Sequence, residues 1–259
     1  MTESEPISSE LTAKKECLET LLGAYTGLVV AFSGGVDSAF LLAMAKRVVG
    51  KRVTAVTAES PVHPRRERKA AAELALALQV DHIVIQSHEM ELPDFVANPG
   101  TRCYICKKHV LELIRGIAAQ LNIEHVAHGV NLDDLSDYRP GQQAAEELGV
   151  IAPLVEAGLT KQDIRRLSKE MGLRTWDKPS MACLASRIPY GQSITSGKLS
   201  MVEAAEDVIL ALGVNTCRVR HHGSVARIEV DPADFERMLT PSCRDRILNR
   251  LKEIGFVHV

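Results

Sequence analysis

Three stretches of this 259-residue chain combine residue types that can do chemistry. The first is Ser33-Gly34-Gly35-Val36-Asp37-Ser38. Its glycines let backbone approach a ligand closely, its serines offer hydroxyls, and Asp37 can hold a metal counter-ion. The second runs from His128 to Gly141 and carries Gly129, Asp133, Asp134, Asp137 and Arg139, a set suited to contacting a nucleotide and Mg2+. The third, residues 178–191, reads KPSMACLASRIPYG and places Arg187 four residues after Cys183. A cationic neighbour lowers a thiol pKa and exposure lets the thiolate react, so Cys183 is a candidate nucleophile.

Other residues are weaker signals. Arg218 and Arg220 flank Val219 in a predicted strand, so both guanidiniums share a face and suit a phosphate monoester. Glu203 and Glu206 stand on one face of a predicted helix, where Glu206 joins Asp37 and Asp137 as a candidate metal ligand. Cys103 and Cys106 form a CxxC at the edge of a predicted helix, but one such pair supplies only two ligands. Their role stays open.

The elements around these residues alternate. Residues 28–32 are a continuous apolar run that predicts a strand buried on both faces, and 39–49 then predict a helix. Strands follow at 53–57, 83–85 and 124–128, and helices at 64–78, 109–121, 142–148 and 160–171. An opening helix covers the leucines between 11 and 22, and Thr160 with Asp163 reads as a capping box. Strand–helix alternation predicts an α/β fold, a Rossmann-like parallel sheet with helices on both faces. Ligands of such sheets bind at the carboxyl ends of the strands, where the loops after Phe32, Thr57 and His128 emerge. From 174 to 192 the pattern lapses into a loop. Beyond it come a helix at 199–212, two strands within 217–230 turning at Gly223-Ser224, a mostly helical 235–254 and a short strand at 256–259. The expected division is residues 1–185 and a small C-terminal α+β domain, residues 186–259, for substrate binding or oligomerisation.

Composition narrows the function. Hydrophobic residues are 46% and charged residues 25% of the chain, enough apolar material for a real core. Lys and Arg total 31 against 33 Asp and Glu, and aromatics are only 4%, so neither a duplex-binding face nor a base-stacking platform is expected. No apolar run reaches the roughly 18 to 20 residues that cross a bilayer, and the opening MTESEPISSE is unlike a secretory signal. The six cysteines then read as thiols of a cytoplasmic protein with no nucleic-acid or membrane partner.

The string Ser33–Ser38 resembles the SGGxDS pyrophosphate loop of the PP-loop ATP pyrophosphatases, the adenine nucleotide alpha hydrolase-like proteins. The loop, the NxDDxxDxRPG run, CLASRIPYG and the late RVRHHGxxARIEV stretch together resemble the ATP-dependent sacrificial sulfur transferases of the LarE family, over roughly residues 15 to 255. That resemblance implies an enzyme that takes part in making the nickel-pincer nucleotide cofactor of lactate racemase, using ATP and Mg2+. Its substrate is a carboxylated pyridinium mononucleotide. ATP would sit against Ser33, Gly34, Gly35, Val36, Asp37, Ser38, Gly129, Asp133 and Asp134. A substrate carboxylate attacks ATP, Cys183 displaces AMP to form a thioester, and carbon–sulfur cleavage leaves dehydroalanine in the protein. Arg187, Arg218 and Arg220 are the candidate substrate contacts. An iron–sulfur cluster is the disfavoured sulfur source, and a homo-oligomer is expected. The alternatives are a tRNA thiolation enzyme, which needs a basic surface that a net charge of -2 does not offer, an ammonia-using synthetase, and a non-catalytic nucleotide sensor. Which side chain steadies the thioester oxyanion is not legible, with Tyr104 and Arg187 as candidates.

Overall fold

The structure, a computed structural model, describes residues 8–136 and 140–259. Asp137 and Arg139 lie outside the described residues. The chain forms two compact units.

The first unit takes the chain up to Glu59, then Arg65–Ser87 and Cys103–Ser180. Its sheet has four parallel strands, β1 (Leu28–Ala31), β2 (Val53–Glu59), β3 (Asp81–Gln86) and β4 (His125–His128), in the order β3-β2-β1-β4. Successive side chains of a strand point to opposite faces, and both faces are apolar here. Leu28 and Val30 join Val53, Ala55 and Ala127 in one core, completed by helices Ser9–Gly23, Val36–Val49, Arg65–Ala77 and Lys161–Glu170. Val29, Val56 and Val126 enter a second core with Leu111, Ile114 and Ala118 of helix Arg102–Gln120 and Ala145 of helix Pro140–Glu147. Helices therefore cover both faces, which makes the expected α/β architecture the observed one.

Strand order places the functional loops. The chain leaves β1 toward β2 on one side and later returns to β4 on the other, so the strand order reverses between β1 and β4 while all four strands stay parallel. Such a switch point opens a crevice at the carboxyl ends. Ala31 pairs in register with His128, so the Ser33–Ser38 loop and the Gly129–Asp134 loop start at the same level.

The second unit takes Ser60–Pro64, His88–Arg102 and Met181–Val259. The antiparallel ribbon β5 (Cys217–His222) and β6 (Val225–Val230) turns at Gly223-Ser224. Ala205 and Ile209 of helix Ser196–Leu210 pack with Val219, Ala226 and Ile247, Leu251 of helix Pro241–Ile254. The two short insertions, 60–64 and 88–102, carry no periodicity that assigns them to this unit in advance.

Some boundaries differ from the sequence pattern for physical reasons. The helix expected from 39 starts at Val36, inside the glycine-rich loop, because its first turn is polar and hides the apolar period. The helix expected from 109 starts at Arg102, which puts Cys103 and Cys106 in its opening turns. The mostly helical stretch expected over 235–254 is two helices, Pro232–Leu239 and Pro241–Ile254, because Pro241 opens the second and cannot continue the first. The closing strand is one bridge, Val225 to His258.

Candidate active site

Helix Val36–Val49 begins with Gly35 as its N-cap, and no side chain caps it. Its first N–H groups, at the positive end of the helix dipole, are left for an anion. Gly34 lies at φ 72°, a backbone state that favours glycine, and a Cβ there would meet the Ala71 Cβ at 2.9 Å. Ser33 and Ser38 hydroxyls are 3.1 Å apart, and Ser38 Oγ donates to Gly35 O at 3.2 Å, which fixes the loop.

Two lysines at this loop escape sequence reading. Lys161 Nζ pairs with the Asp37 carboxylate, and Lys178 Nζ donates to Gly34 O at 2.9 Å while pairing with Glu67 at 2.7 Å. Both are far from the loop in sequence, so only the fold brings them there. Their charges suit a polyphosphate. Asp37 is pushed above the ordinary carboxylate range by burial, with Lys161 pulling the other way and Asp134 adding to the rise. Its Oδ1 accepts from Asn131 Nδ2 at 3.4 Å.

The loop after β4 supplies this neighbourhood. Asn131 N–H donates to Asp134 Oδ2 at 3.1 Å, and the Asp133 carboxylate accepts from Lys161 N–H at 2.8 Å, at the start of helix Lys161–Glu170. Asp133 and Asp134 thus already shape the loop. His128, at the end of β4, is lowered to about 3 by burial and by the nearby Lys107 cation, so its imidazole is neutral. A Cβ on Gly129 would stand 2.7 Å from Ser38 N and 2.8 Å from Ser38 Cα. Those atoms are backbone and cannot swing away. Gly129→Ala is therefore expected to shift the helix N-terminus and lower pyrophosphate release about a hundredfold, with an unchanged far-UV spectrum. Wild-type release in that variant would mean the loop does not hold the nucleotide.

Among the described residues no group of three or more His, Cys, Asp or Glu is placed to hold a metal ion. Mg2+ commonly takes one or two carboxylates, with substrate phosphates and water filling the rest. Asp37, with Asp134 close enough to raise its pKa, fits that pattern.

In the second unit Cys183 is half-exposed and caps the 3-10 turn Leu184–Arg187. The turn is anchored on several sides. Leu184 N–H donates to Val62 O at 2.8 Å. Asn98 Nδ2 donates to Pro189 O at 2.8 Å and to Gln192 O at 2.9 Å, and Arg102 stacks over Tyr190 at 4.4 Å. Arg220 Nη1 donates to Ser186 O at 2.9 Å.

Arg187 and Glu206, expected as a substrate contact and a metal ligand, sit elsewhere in the chemistry. Both side chains are 0% exposed, and Nε of Arg187 donates to Glu206 Oε1 at 2.8 Å. Glu206 Oε1 also accepts from Val219 N–H at 3.2 Å. The pair is an enclosed structural ion pair, which closes both groups to solvent-borne ligands. Arg218 and Arg220 do share the half-exposed face of β5, opposite the buried Cys217, Val219 and His221. Arg220 grips the Glu229 carboxylate at 2.8 and 3.0 Å, whereas Arg218 has no hydrogen bond or ion pair among the described residues. Tyr104 donates to Glu147 at 2.7 Å, so its hydroxyl is committed within the first unit. Cys103 is exposed and Cys106 half-buried on helix Arg102–Gln120. No helix among the described residues is long and apolar enough to cross a membrane.

Comparison with known proteins agrees with this geometry. The asparagine synthase family model matches residues 16–99, the stretch that holds the glycine-rich loop. An uncharacterised Synechocystis protein, slr1717, is 38% identical over 249 residues, which cover 96% of this chain and 93% of that one. A 7-cyano-7-deazaguanine synthase of Aquifex aeolicus is 28% identical over 66% of this chain and 93% of its own. The pyridinium-3,5-bisthiocarboxylic acid mononucleotide synthase of Lactiplantibacillus plantarum is 35% identical over 250 residues, 96% of this chain and 90% of the relative. With the uncapped helix end, the glycine-rich loop and near full-length similarity to that synthase, the chain belongs to the LarE family of PP-loop proteins and is an ATP-dependent enzyme.

Proposed function

We propose that this enzyme adenylates a carboxylate of a pyridinium mononucleotide and converts it to a thiocarboxylate with sulfur from Cys183, in the biosynthesis of the nickel-pincer nucleotide cofactor of lactate racemase. The Ser33–Ser38 loop holds the ATP phosphates on backbone N–H groups, and Lys161 and Lys178 offset their charge. Asp37 and Asp134 are the carboxylates that would hold Mg2+, which would withdraw charge from the phosphates. A carboxylate oxygen of the substrate attacks the α-phosphorus and pyrophosphate leaves. The Cys183 thiolate then attacks the activated carbonyl carbon, AMP leaves, and a thioester forms. Cleavage of the Cys183 Cβ–S bond releases the thiocarboxylate and leaves dehydroalanine. The second unit receives the substrate phosphate, with Arg218 as the guanidinium still available for a bidentate contact.

The observation that carries this reading is the setting of Cys183, a half-exposed thiol on a turn whose backbone is fixed by Val62, Asn98 and Arg220. Adenylation alone needs no such residue. Intact-protein mass spectrometry after incubation with ATP, Mg2+ and the dicarboxylated mononucleotide tests it. The expected result is a loss of about 34 Da per chain, one hydrogen sulfide, mapping to Cys183. Thiocarboxylate formed by protein of unchanged mass would overturn the sacrificial route.

A further inference from the structure

The peptide carbonyl of Cys183 is unusually well supplied with donors. Its oxygen accepts from Ser186 N–H at 3.0 Å, from Ser186 Oγ at 2.8 Å and from Arg187 Nη1 at 3.2 Å. A 3-10 turn needs only the first of these. The other two bring a hydroxyl and a guanidinium nitrogen to that backbone oxygen, the nitrogen also donating to Ala182 O at 2.8 Å. Arg187 Nη1 also donates to Ser186 Oγ at 2.9 Å, so guanidinium, hydroxyl and carbonyl form a chain. The guanidinium is fully enclosed and held by Glu206, which keeps water from screening it.

That oxygen matters for one reaction in particular. Removing the α-proton of Cys183 would place negative charge on Cα, and the peptide carbonyl is where it delocalises. Donors aimed in advance at a developing oxyanion are the strongest device for lowering such a barrier. The cost of dehydroalanine formation lies in that proton, because a thiocarboxylate is a good leaving group.

A histidine lies on the segment that bonds this turn. Val62 O accepts from Leu184 N–H at 2.8 Å, which puts His63 one residue beyond the contact and in the same unit as Cys183. The His63 ring is half-buried, and its Nδ1 is 3.5 Å from Ser60 Oγ. Glu89, with no exposed surface, acts electrostatically on the ring. Burial lowers the His63 pKa and Glu89 acts the other way, so the ring is a neutral acceptor at neutral pH.

We propose that the Cys183 turn is built as an elimination centre, in which Ser186 and Arg187 stabilise the enolate oxygen of Cys183 while His63, backed by Glu89, accepts the α-proton. This rests on the reading that Cys183 carries the substrate as a thioester. The Cα–H electron pair becomes the Cα=Cβ bond, and the Cβ–S pair leaves on sulfur as the thiocarboxylate. The proton passes to His63 and then to water, and no redox partner is required.

The test follows full-length protein through a single turnover with ATP, Mg2+ and the dicarboxylated mononucleotide, quenched and weighed intact. Two species are resolved, the thioester adduct and the dehydroalanine product. Ser186→Ala should let the adduct persist and slow its conversion about a hundredfold to a thousandfold, as losing one oxyanion donor does elsewhere. His63→Gln, which lies off the turn, should act in the same direction. Cysteine deuterated at Cα should slow conversion further in Ser186→Ala protein, a signature that a purely structural serine would not give. Adduct that converts at the wild-type rate in both variants would overturn the proposal. So would a conversion indifferent to Cα deuterium in Ser186→Ala. If wild-type protein gives neither adduct nor mass loss, the thioester reading itself falls, and that result is distinct from the other two.

Discussion

Cys183→Ala protein is expected to release pyrophosphate and yield no thiocarboxylate. The groups assigned to adenylation, Ser33–Ser38, Asp37, Lys161 and Lys178, all belong to the first unit, and Cys183 belongs to the second. The substitution removes one sulfur and keeps the backbone carbonyl that Ser186 and Arg187 hold. Alanine also suits the extended Cys183 position before the 3-10 turn, φ -59° and ψ 151°. The first half-reaction should therefore proceed for one turnover, after which the acyl adenylate has only water to react with. The effect on product is all or none, because no rate factor compensates for a missing sulfur atom. Pyrophosphate is followed by a coupled assay and the thiocarboxylate by chromatography with mass detection. Thiocarboxylate formed by the Cys183→Ala protein at any rate above background would move the sulfur source elsewhere. Absence of pyrophosphate would instead mean that Cys183 also serves the first half-reaction.

How much of this was legible in the sequence depends on the range of the interaction. The Ser33–Ser38 loop announces itself because an apolar strand runs directly into glycines and then into a helix, all within a few residues. The parity of Arg218 and Arg220 is equally local, and β5 keeps it. The capping box of Thr160 and Asp163 forms with both of its hydrogen bonds. Lys161 at Asp37 and Lys178 at Gly34 were invisible, since 124 and 144 residues separate the partners. The segments 60–64 and 88–102 look like ordinary connections of the parallel sheet, yet they supply Val62, His63, Glu89 and Asn98 to the second unit. Arg187 misleads most. Beside a reactive cysteine a sequence reader aims the guanidinium at the thiol or the substrate, and the fold instead turns it inward to Glu206 and the main chain.

That inward turn leads to a stability experiment. Arg187→Met should destabilise the protein by about 3 to 5 kcal/mol, because it takes the guanidinium from a Glu206 carboxylate that is fully enclosed. Arg187→Met with Glu206→Met should recover most of that loss, since two apolar chains of similar length replace two buried charges. Urea midpoints of the single and double variants measure the difference. A single variant that loses less than about 1 kcal/mol would place the pair among solvated surface bridges, and the enclosed cation at the Cys183 carbonyl would lose its force. The double variant carries the argument one step further. It should be folded, with the turn still closed by Ser186 N–H, but without a positive charge on the Cys183 oxygen. If its thioester then persists while its urea midpoint matches the wild type, the guanidinium is needed for elimination and not merely for folding. If it forms dehydroalanine at the wild-type rate, Arg187 is there to hold the turn together, and the enolate is stabilised by Ser186 alone.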